Sequence, residues 1–311
     1  MNTNERKFLI AVDGSTHSVN AVSYAAQYCG SAGIKVNLIH VIPTAPEALW
    51  DLGKEKIFKK KMRERHAGWT KKAEKIAHQF LNEARDLLVE AGVPENDVGV
   101  ILQKRKVGIA RDIIEESMGG YETVVVGRGG LGTRRDPFHG SVSNKIVEKI
   151  HDIPVWVIGG DAQSKRILLA VDASGNSRKA ANYVGTVAAA TEATIILFHV
   201  VRKFKFLDDP TLLDHEIEGF WEEVKSDIPR MFHSYKVTPE RAGIDTSRIS
   251  SKAIMDSPSR SADILREAYE EACGTIVVGR KGLSKVDSFL MGRVTNKVLN
   301  RAGDFAVWIV P

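Results

Sequence analysis

The feature that most constrains this chain is a glycine-rich segment that follows a short apolar run and occurs twice. In the first copy, Val124–Val126 precede glycines spaced as Gly-x2-Gly-x9-Gly-Ser, from Gly127 to Ser141. The second copy follows Ile276–Val278 and keeps the glycine spacing, with an arginine in place of the serine: Gly279, Gly282, Gly292 and Arg293. A glycine turn between a buried strand and a helix start places backbone amides and a helix dipole where they can bind phosphate. Two copies therefore predict a duplicated nucleotide-binding domain.

The duplication extends over the whole chain. Phe8–Ser15 matches Ile167–Ser174, and both segments contain Ala-Val-Asp followed by a small residue and a serine. The apolar segment Val155–Val157 has a counterpart in Val307–Ile309, each with a central tryptophan. Because 311 residues exceed the usual size of one domain, we predict two domains, residues 1–160 and 161–311.

Apolar runs of strand length alternate with segments of helical periodicity in both halves. The strands predicted in the first half are Lys7–Val12, Lys35–Ile42, Asp97–Leu102, Thr123–Val126 and Val155–Ile158. Continuous apolar runs are typical of parallel strands that are covered on both faces. This order predicts an α/β fold with two tandem, doubly wound, five-stranded parallel-sheet domains. In such sheets, ligands bind at the carboxyl ends of the strands, where the strand order reverses.

One aspartate follows the first predicted strand of each half. Asp13 and Asp172 would therefore lie at the ligand-binding edge of each sheet. A carboxylate there can accept both hydroxyls of a ribose, and the alternative is an acidic residue that stabilises a helix N-terminus. Ser15 and Ser174 are expected to cap helices. His40, like its counterpart in the second half, His199, is expected to pack or to bond to the backbone.

The first glycine segment also contains Gly-x-Gly-x-x-Gly, the spacing of dinucleotide-binding proteins. That fingerprint normally opens a helix directly after the first strand, whereas here Thr133–His139 intervene after the fourth predicted strand. Nor does the second copy keep the pattern, since Lys281 and Ser284 replace two of its glycines. A phosphate site built on the other spacing is therefore favoured, with a purely structural turn as the alternative.

Composition excludes several classes of protein. A net charge of +5 is too small to indicate nucleic-acid binding. The polar N-terminus does not fit a signal peptide, and no apolar run approaches the length of a membrane span. We therefore expect a cytoplasmic protein with no nucleic-acid or membrane partner. Cys29 and Cys273 each occur singly, which predicts buried thiols. The basic run Lys54–Lys72 could bind nucleic acid or an anionic membrane surface, but a solvated helix face is favoured.

Together these motifs resemble the universal stress protein family. The resemblance rests on Ala11–Ser15, on the glycine segment with Val142-Ser143 after it, and on Pro154–Val157, and it covers nearly the whole chain. It implies domains of the adenine nucleotide alpha hydrolase-like kind, with ATP at the strand ends. It also implies that the two closing strands pair, so that the halves form an intramolecular pseudo-dimer. Whether two chains form a further homodimer stays open.

The resemblance also implies a role for each matching residue. In ATP-binding members, the first-strand aspartate contacts ribose, a backbone group at the end of the second strand contacts adenine, and the glycine segment holds the phosphates. The first site implied in this way comprises Asp13, Val41, Gly127, Gly130, Gly140, Ser141 and Val142. The second comprises Asp172, Val200, Gly279, Gly282, Gly292 and Arg293. Arg293 cannot replace the compact serine, so it either reaches a phosphate or fills the pocket, and we expect a weakened or altered second site.

The implied function is ATP binding, with or without Mg²⁺, by a stress-response or signalling module whose conformation or partner contacts respond to nucleotide. Two alternatives stay open. One is an enzyme, such as a slow ATPase or an ATP-using transferase. The other is a scaffold that binds no nucleotide. Because the sequence indicates no general base beside the glycine segment and no metal cluster, we expect no catalytic residue.

Overall fold

The computed structural model describes residues 5–43, 56–129, 141–160, 162–203, 214–282 and 291–311. The chain divides into two compact units, Met1–Ile150 and His151–Pro311. In the first unit, the described strands are β1 (Lys7–Ala11), β2 (Lys35–Ile42), β3 (Val98–Lys104) and β4 (Thr123–Gly127). Its described helices are α1 (Thr16–Ala32), α2 (Lys56–Glu90), α3 (Ile109–Ser117) and α4 (Ser141–Lys149).

The second unit repeats this order after one additional strand. Its described strands are β5 (Val155–Ile158), β6 (Arg166–Ala170), β7 (Thr194–Arg202), β8 (Ile249–Ser257), β9 (Thr275–Gly279) and β10 (Ala306–Val310). Its described helices are α5 (Gly175–Ala188), α6 (Asp214–Arg241), α7 (Arg260–Glu270) and α8 (Arg293–Arg301). The predicted α/β class is confirmed, with strands and helices alternating along each unit except that β6 follows β5 directly.

The sheet of the first unit is parallel, and its strand order reverses next to β1. The strands lie in the order β3-β2-β1-β4. The chain passes from β1 to β2 and β3 on one side, and then returns to pair β4 with the other side of β1. In doubly wound sheets, this reversal opens a crevice at the carboxyl ends of the two central strands. We call this crevice, at the ends of β1, β2 and β4, the first cleft.

The second unit contains the same reversal and one antiparallel pair. Its strands lie in the order β5-β10-β9-β6-β7-β8, and the carboxyl ends of β6, β7 and β9 form the second cleft. Strand β5, which closes the first sequence repeat, pairs antiparallel with β10, which closes the second. The two closing strands therefore pair as predicted. Trp156 stacks on Trp308 across this pair, with ring centroids 4.1 Å apart and ring planes 1° from parallel.

Serine caps fix the first helix of each unit. The Oγ of Ser15 accepts a hydrogen bond from the backbone N–H of Ser18, and the Oγ of Ser174 accepts one from Ser177. Both caps were predicted, and each satisfies one of the N–H groups that a helix start leaves without a partner in the helix. The caps therefore fix the chain where it leaves β1 and β6, directly beside the two clefts.

The structure also describes the two cysteines and most of the basic run. Cys29 and Cys273 are buried, as predicted. Helix α2 includes most of the basic run, and Trp69 on this helix is 50% exposed. Among the helices of the described ranges, none is both long and apolar enough to cross a bilayer.

Candidate functional site

Asp13 is held at the end of β1 by the turn that starts α1. Its Oδ1 accepts hydrogen bonds from the backbone N–H of Ser15, at 3.0 Å, and from the Ser15 hydroxyl, at 2.6 Å. The backbone N–H of Asp13 donates to the hydroxyl of Ser18 at 3.3 Å. These bonds hold the half-buried carboxylate at the end of β1, beside the first cleft. Ser15 thus serves both as a helix cap and as a support for the aspartate.

Strand β2 extends beyond the end of β1, and His40 of β2 bonds to the residue that directly follows β1. The last registered pair is Ala11 with Ile39, after which the N–H of Val12 donates to the carbonyl of Ile39 at 2.9 Å. The Nδ1 of His40 lies 2.8 Å from the carbonyl oxygen of Val12. Because a carbonyl only accepts, this ring nitrogen carries the hydrogen. His40 therefore bonds to the backbone, which is one of the two arrangements expected from the sequence.

The position of Val41 follows from the alternation of a β-strand. Residues two apart direct their peptide groups to the same side of a strand. Since the carbonyl of Ile39 faces β1, the peptide group of Val41 faces the same side, beyond the last residue of β1. Burial lowers the pKa of His40, although its bond to Val12 and the charge of Asp13 act in the opposite direction. Burial therefore disfavours the charged form of this ring, which bonds to the residue before Asp13 and precedes Val41 in β2.

Gly127 is required by packing as well as by any ligand. A Cβ on this residue would lie 2.6 Å from the backbone oxygen of His17 in the first turn of α1. Gly129 has a φ of +106°, a conformation that side chains rarely adopt. Glycine therefore lets β4 and α1 approach each other closely at the opening of the cleft. Packing and backbone conformation, without any ligand, therefore explain some of the glycines in this segment.

His17 lies beside the glycine segment, although its sequence spacing does not indicate it. Its ring atoms are 3.6 to 3.7 Å from the position that a Cβ on Gly129 would take, and its side chain is exposed. The corresponding residue of the second unit is Asn176, which contacts the Cβ position of Gly279 at 3.1 Å. Position in the first turn of α1 is the only signal that could have identified His17. An imidazole is therefore available at the first cleft.

The remaining residues implied for the first site belong to the segment between β4 and α4. Gly130 and Gly140 lie outside the described residues. Helix α4 begins at Ser141, and Val142, in its first turn, is half-buried. The first backbone N–H groups of a helix have no partner within it and can bind an anion.

The second cleft keeps the aspartate and the glycine approach. The Oδ1 of Asp172 accepts from the backbone N–H of Ser174 at 3.0 Å and from the hydroxyl of Ser177 at 2.8 Å. The hydroxyl of Tyr235, on α6, donates to the backbone oxygen of Asp172. A Cβ on Gly282 would lie 2.6 Å from Oδ2 of Asp172. The carboxylate and the glycine segment, far apart in sequence, are therefore neighbours in this unit.

The start of α8 completes the glycine side of the second cleft. Gly292 is the residue before this helix, and its N–H donates to the carbonyl of Arg280 at 2.8 Å. A Cβ on Gly292 would lie 3.3 Å from the same carbonyl oxygen. The side chain of Arg293, the first residue of α8, is exposed. Of the two alternatives for Arg293, exposure favours a side chain that reaches outward over one that fills a closed pocket.

At Val200 the second cleft departs from the first. The Nε of Arg260, the first residue of α7, donates to the backbone oxygen of Val200 at 3.3 Å. His199 repeats the arrangement of the first unit, with its Nδ1 2.7 Å from the carbonyl oxygen of Val171. Burial lowers the pKa of His199, its bond to Val171 opposes that shift, and the charge of Arg260 lowers the pKa further. A cation therefore lies at the end of β7, which is the edge implied to contact adenine.

The described ranges contain no preformed cluster of metal-binding side chains. Within them, no group of three or more histidine, cysteine, aspartate or glutamate side chains is arranged to hold an ion.

The fold that these elements form is that of doubly wound α/β proteins of the adenine nucleotide alpha hydrolase-like kind. The family model described as "Universal stress protein family" matches residues 5–159 and 163–311. The chain therefore belongs to the universal stress protein family and contains two tandem domains of it.

Relatives and solved structures of this family match most of the chain. Universal stress protein Rv1996 of Mycobacterium tuberculosis is 24% identical over 306 residues, which cover 94% of this chain and 91% of that protein. A universal stress protein of Mycolicibacterium smegmatis is 28% identical over 203 residues, covering 63% of this chain and 64% of that protein. The crystal structure of one from Archaeoglobus fulgidus superimposes with a TM-score of 0.60 at 19% identity, over 99% of this chain and 98% of that one.

Proposed function

We propose that this protein binds ATP in the first cleft and acts as a nucleotide-responsive stress or signalling module of the cytoplasm. The observation that carries the proposal is the convergence of three groups at one reversal of strand order. These are the Asp13 carboxylate after β1, the peptide group of Val41 on β2, and the close-packed turn that begins at Gly127 after β4.

Each group suits one part of an adenine nucleotide. The Asp13 carboxylate accepts hydrogen bonds from the ribose hydroxyls, because an ionised carboxylate is a pure acceptor. The peptide group of Val41 offers one donor and one acceptor to the edge of adenine. Backbone N–H groups at Gly127 and at the start of α4 face the phosphates, where the positive end of the helix dipole adds attraction. Mg²⁺ enters with the phosphate oxygens that it coordinates in solution.

Phe80 supplies apolar surface next to this polar set. A Cβ on Gly14 would lie 2.7 Å from Cδ1 of Phe80, and the ring of His40 meets the ring of Phe80 edge-on with centroids 4.9 Å apart. Gly14 has a φ of +77°, so both its conformation and its contact with Phe80 favour glycine. This cluster joins helix α2 to the mouth of the cleft. A nucleotide bound in the cleft would therefore change the position of α2, and with it the surface that a partner protein contacts.

Slow ATP hydrolysis is the second candidate function, and His17 favours it. Its exposed imidazole lies against Gly129, beside the proposed phosphate position, and histidine is the side chain that enzymes most often use as a general base. On this alternative, His17 would accept a proton from water as the water oxygen bonds to the terminal phosphorus. The bond from that phosphorus to the bridging oxygen would break, and ADP and phosphate would leave.

Calorimetric titration of the full chain with ATP tests the proposal. Asp13→Ala removes charge-assisted bonds to ribose, each of which contributes about 1.5 to 3 kcal/mol, so affinity for the first cleft falls by at least about tenfold. Asp86→Ala removes an exposed aspartate from α2 and serves as the matched control, with unchanged affinity. Equal ATP affinity in the wild type and Asp13→Ala would exclude the proposed site. Phosphate release that is lost in His17→Asn, while ATP binding persists, would establish the hydrolase.

A further inference from the structure

The two clefts differ at the end that faces the nucleotide base. In the second cleft, Arg260 directs its Nε to the backbone oxygen of Val200, which is buried to 6% exposure. The carbonyl of Phe198, two residues earlier, accepts from Val171 on β6, so alternation directs the Val200 carbonyl to the same side, past the end of β6. The guanidinium thus covers the acceptor that corresponds to the carbonyl of Val41.

The first cleft has an isoleucine where the second has Arg260. Ile109 is the first residue of α3, as Arg260 is of α7, and each stands three positions before a buried aspartate. Asp112 accepts hydrogen bonds from the backbone N–H groups of the preceding turn, and Asp263 accepts one from the hydroxyl of Ser257. Because Asp112 ties its helix start to the turn after β3, and Asp263 ties its helix start to the last residue of β8, the two positions are structurally equivalent.

This difference inverts the hydrogen-bonding character of the base edge. The carbonyl of Val41 can accept a hydrogen bond from the amino group of adenine, whereas Arg260 presents donors and no acceptor. A guanidinium bonded to a base edge selects an acceptor pair, and the O6 and N7 atoms of guanine form such a pair. Adenine, which presents its amino group at that position, would face one donor with another.

The rest of the second cleft keeps the features that would hold ribose and phosphate. The Asp172 carboxylate is oriented by Ser174 and Ser177, and Gly282 lies against its Oδ2. Gly292 precedes α8 without a side-chain cap, and the first backbone N–H groups of a helix have no partner within the helix.

We propose that the second cleft binds a guanine nucleotide and that Arg260 determines this specificity. The inference rests on the proposed function in one respect, because it assumes that both clefts orient a nucleotide in the same way. The chain would then carry an adenine nucleotide in its first cleft and a guanine nucleotide in its second.

Titration of the full chain with GTP, with and without saturating ATP, tests this proposal. We expect one GTP per chain that ATP does not displace, lost in Asp172→Ala and retained in Asp13→Ala. Arg260→Ile, which copies the first cleft, should weaken GTP binding by about tenfold or more and allow a second ATP to bind. The matched control is Arg230→Ile, which removes an arginine of α6 that is 83% exposed.

The reciprocal substitution keeps the test decisive if Arg260→Ile disturbs folding. Ile109→Arg should lower the affinity of the first cleft for ATP and raise its affinity for GTP, with the circular dichroism spectrum unchanged. An Asp172-dependent site that prefers ATP in the wild type, or one that binds neither nucleotide, would overturn the inference. Loss of the Asp13-dependent ATP site alone would count against the proposed function and leave the GTP result standing.

Discussion

Replacing Gly127 with alanine should destabilise the protein without any nucleotide present. The new Cβ would lie 2.6 Å from the backbone oxygen of His17, whereas ordinary contact begins at 3.4 Å. Either β4 or the start of α1 must shift by several tenths of an ångström, since both contact atoms belong to backbone. Forcing extra volume into a close-packed site costs about 1 to 3 kcal/mol. For a unit of this size, that corresponds to a fall in Tm of about 2 to 12 °C.

Scanning calorimetry of the nucleotide-free protein measures the fall in Tm. Alanine substitutions at two other glycines provide a graded comparison. A Cβ on Gly279 would lie 3.1 Å from Asn176, so Gly279→Ala should cost less than Gly127→Ala. Gly175, at the start of α5, has nothing within 4 Å of its Cβ position, so Gly175→Ala should leave Tm unchanged or raise it. If Gly127→Ala is as stable as Gly175→Ala, the packing argument is wrong.

Two further predictions concern buried titratable groups. The pKa of His40 and of His199 lies below the ordinary 6.5 because burial disfavours the charged ring. Between each lowered pKa and 6.5, the folded state binds fewer protons than the unfolded state. The free energy of unfolding should therefore rise as the pH rises through this window and fall as the pH is lowered through it. A histidine titration by NMR with midpoints at or above 6.5 would contradict this. Burial raises the pKa of Cys29 to about 12, so a thiol reagent should label it slowly in the native protein and rapidly in denaturant. Rapid labelling under native conditions would show that this thiol is accessible.

Local patterns predicted most of the fold, because they depend on neighbours in sequence. The bounds of β2 and β5, the two serine caps and the backbone-bonded His40 all follow from apolar runs and turn residues. The sequence predicts β3 at Asp97–Leu102, whereas the strand spans Val98–Lys104, because its pairing with β2 continues to Ile42. Pairing between strands that are distant in sequence cannot be derived from the composition of either one.

The sequence pattern indicates one difference between the two clefts, Arg293 in place of Ser141, but it misses two contacts that the structure shows. Arg260 reaches Val200 across 60 positions of sequence, and His17 meets Gly129 only because α1 and β4 pack closely. Neither contact produces a periodic or motif signal in a single chain. The aspartates at 13 and 172 were identifiable because each directly follows an apolar strand, and the parallel-sheet rule places such residues at the ligand edge.

A crystal structure of the full chain with saturating ATP tests the central claim most directly. The account predicts an adenylate in the first cleft, with its ribose hydroxyls on the carboxylate of Asp13 and its base on the peptide group of Val41. A first cleft that contains no nucleotide at saturating ATP, or ATP bound away from both residues, would contradict it.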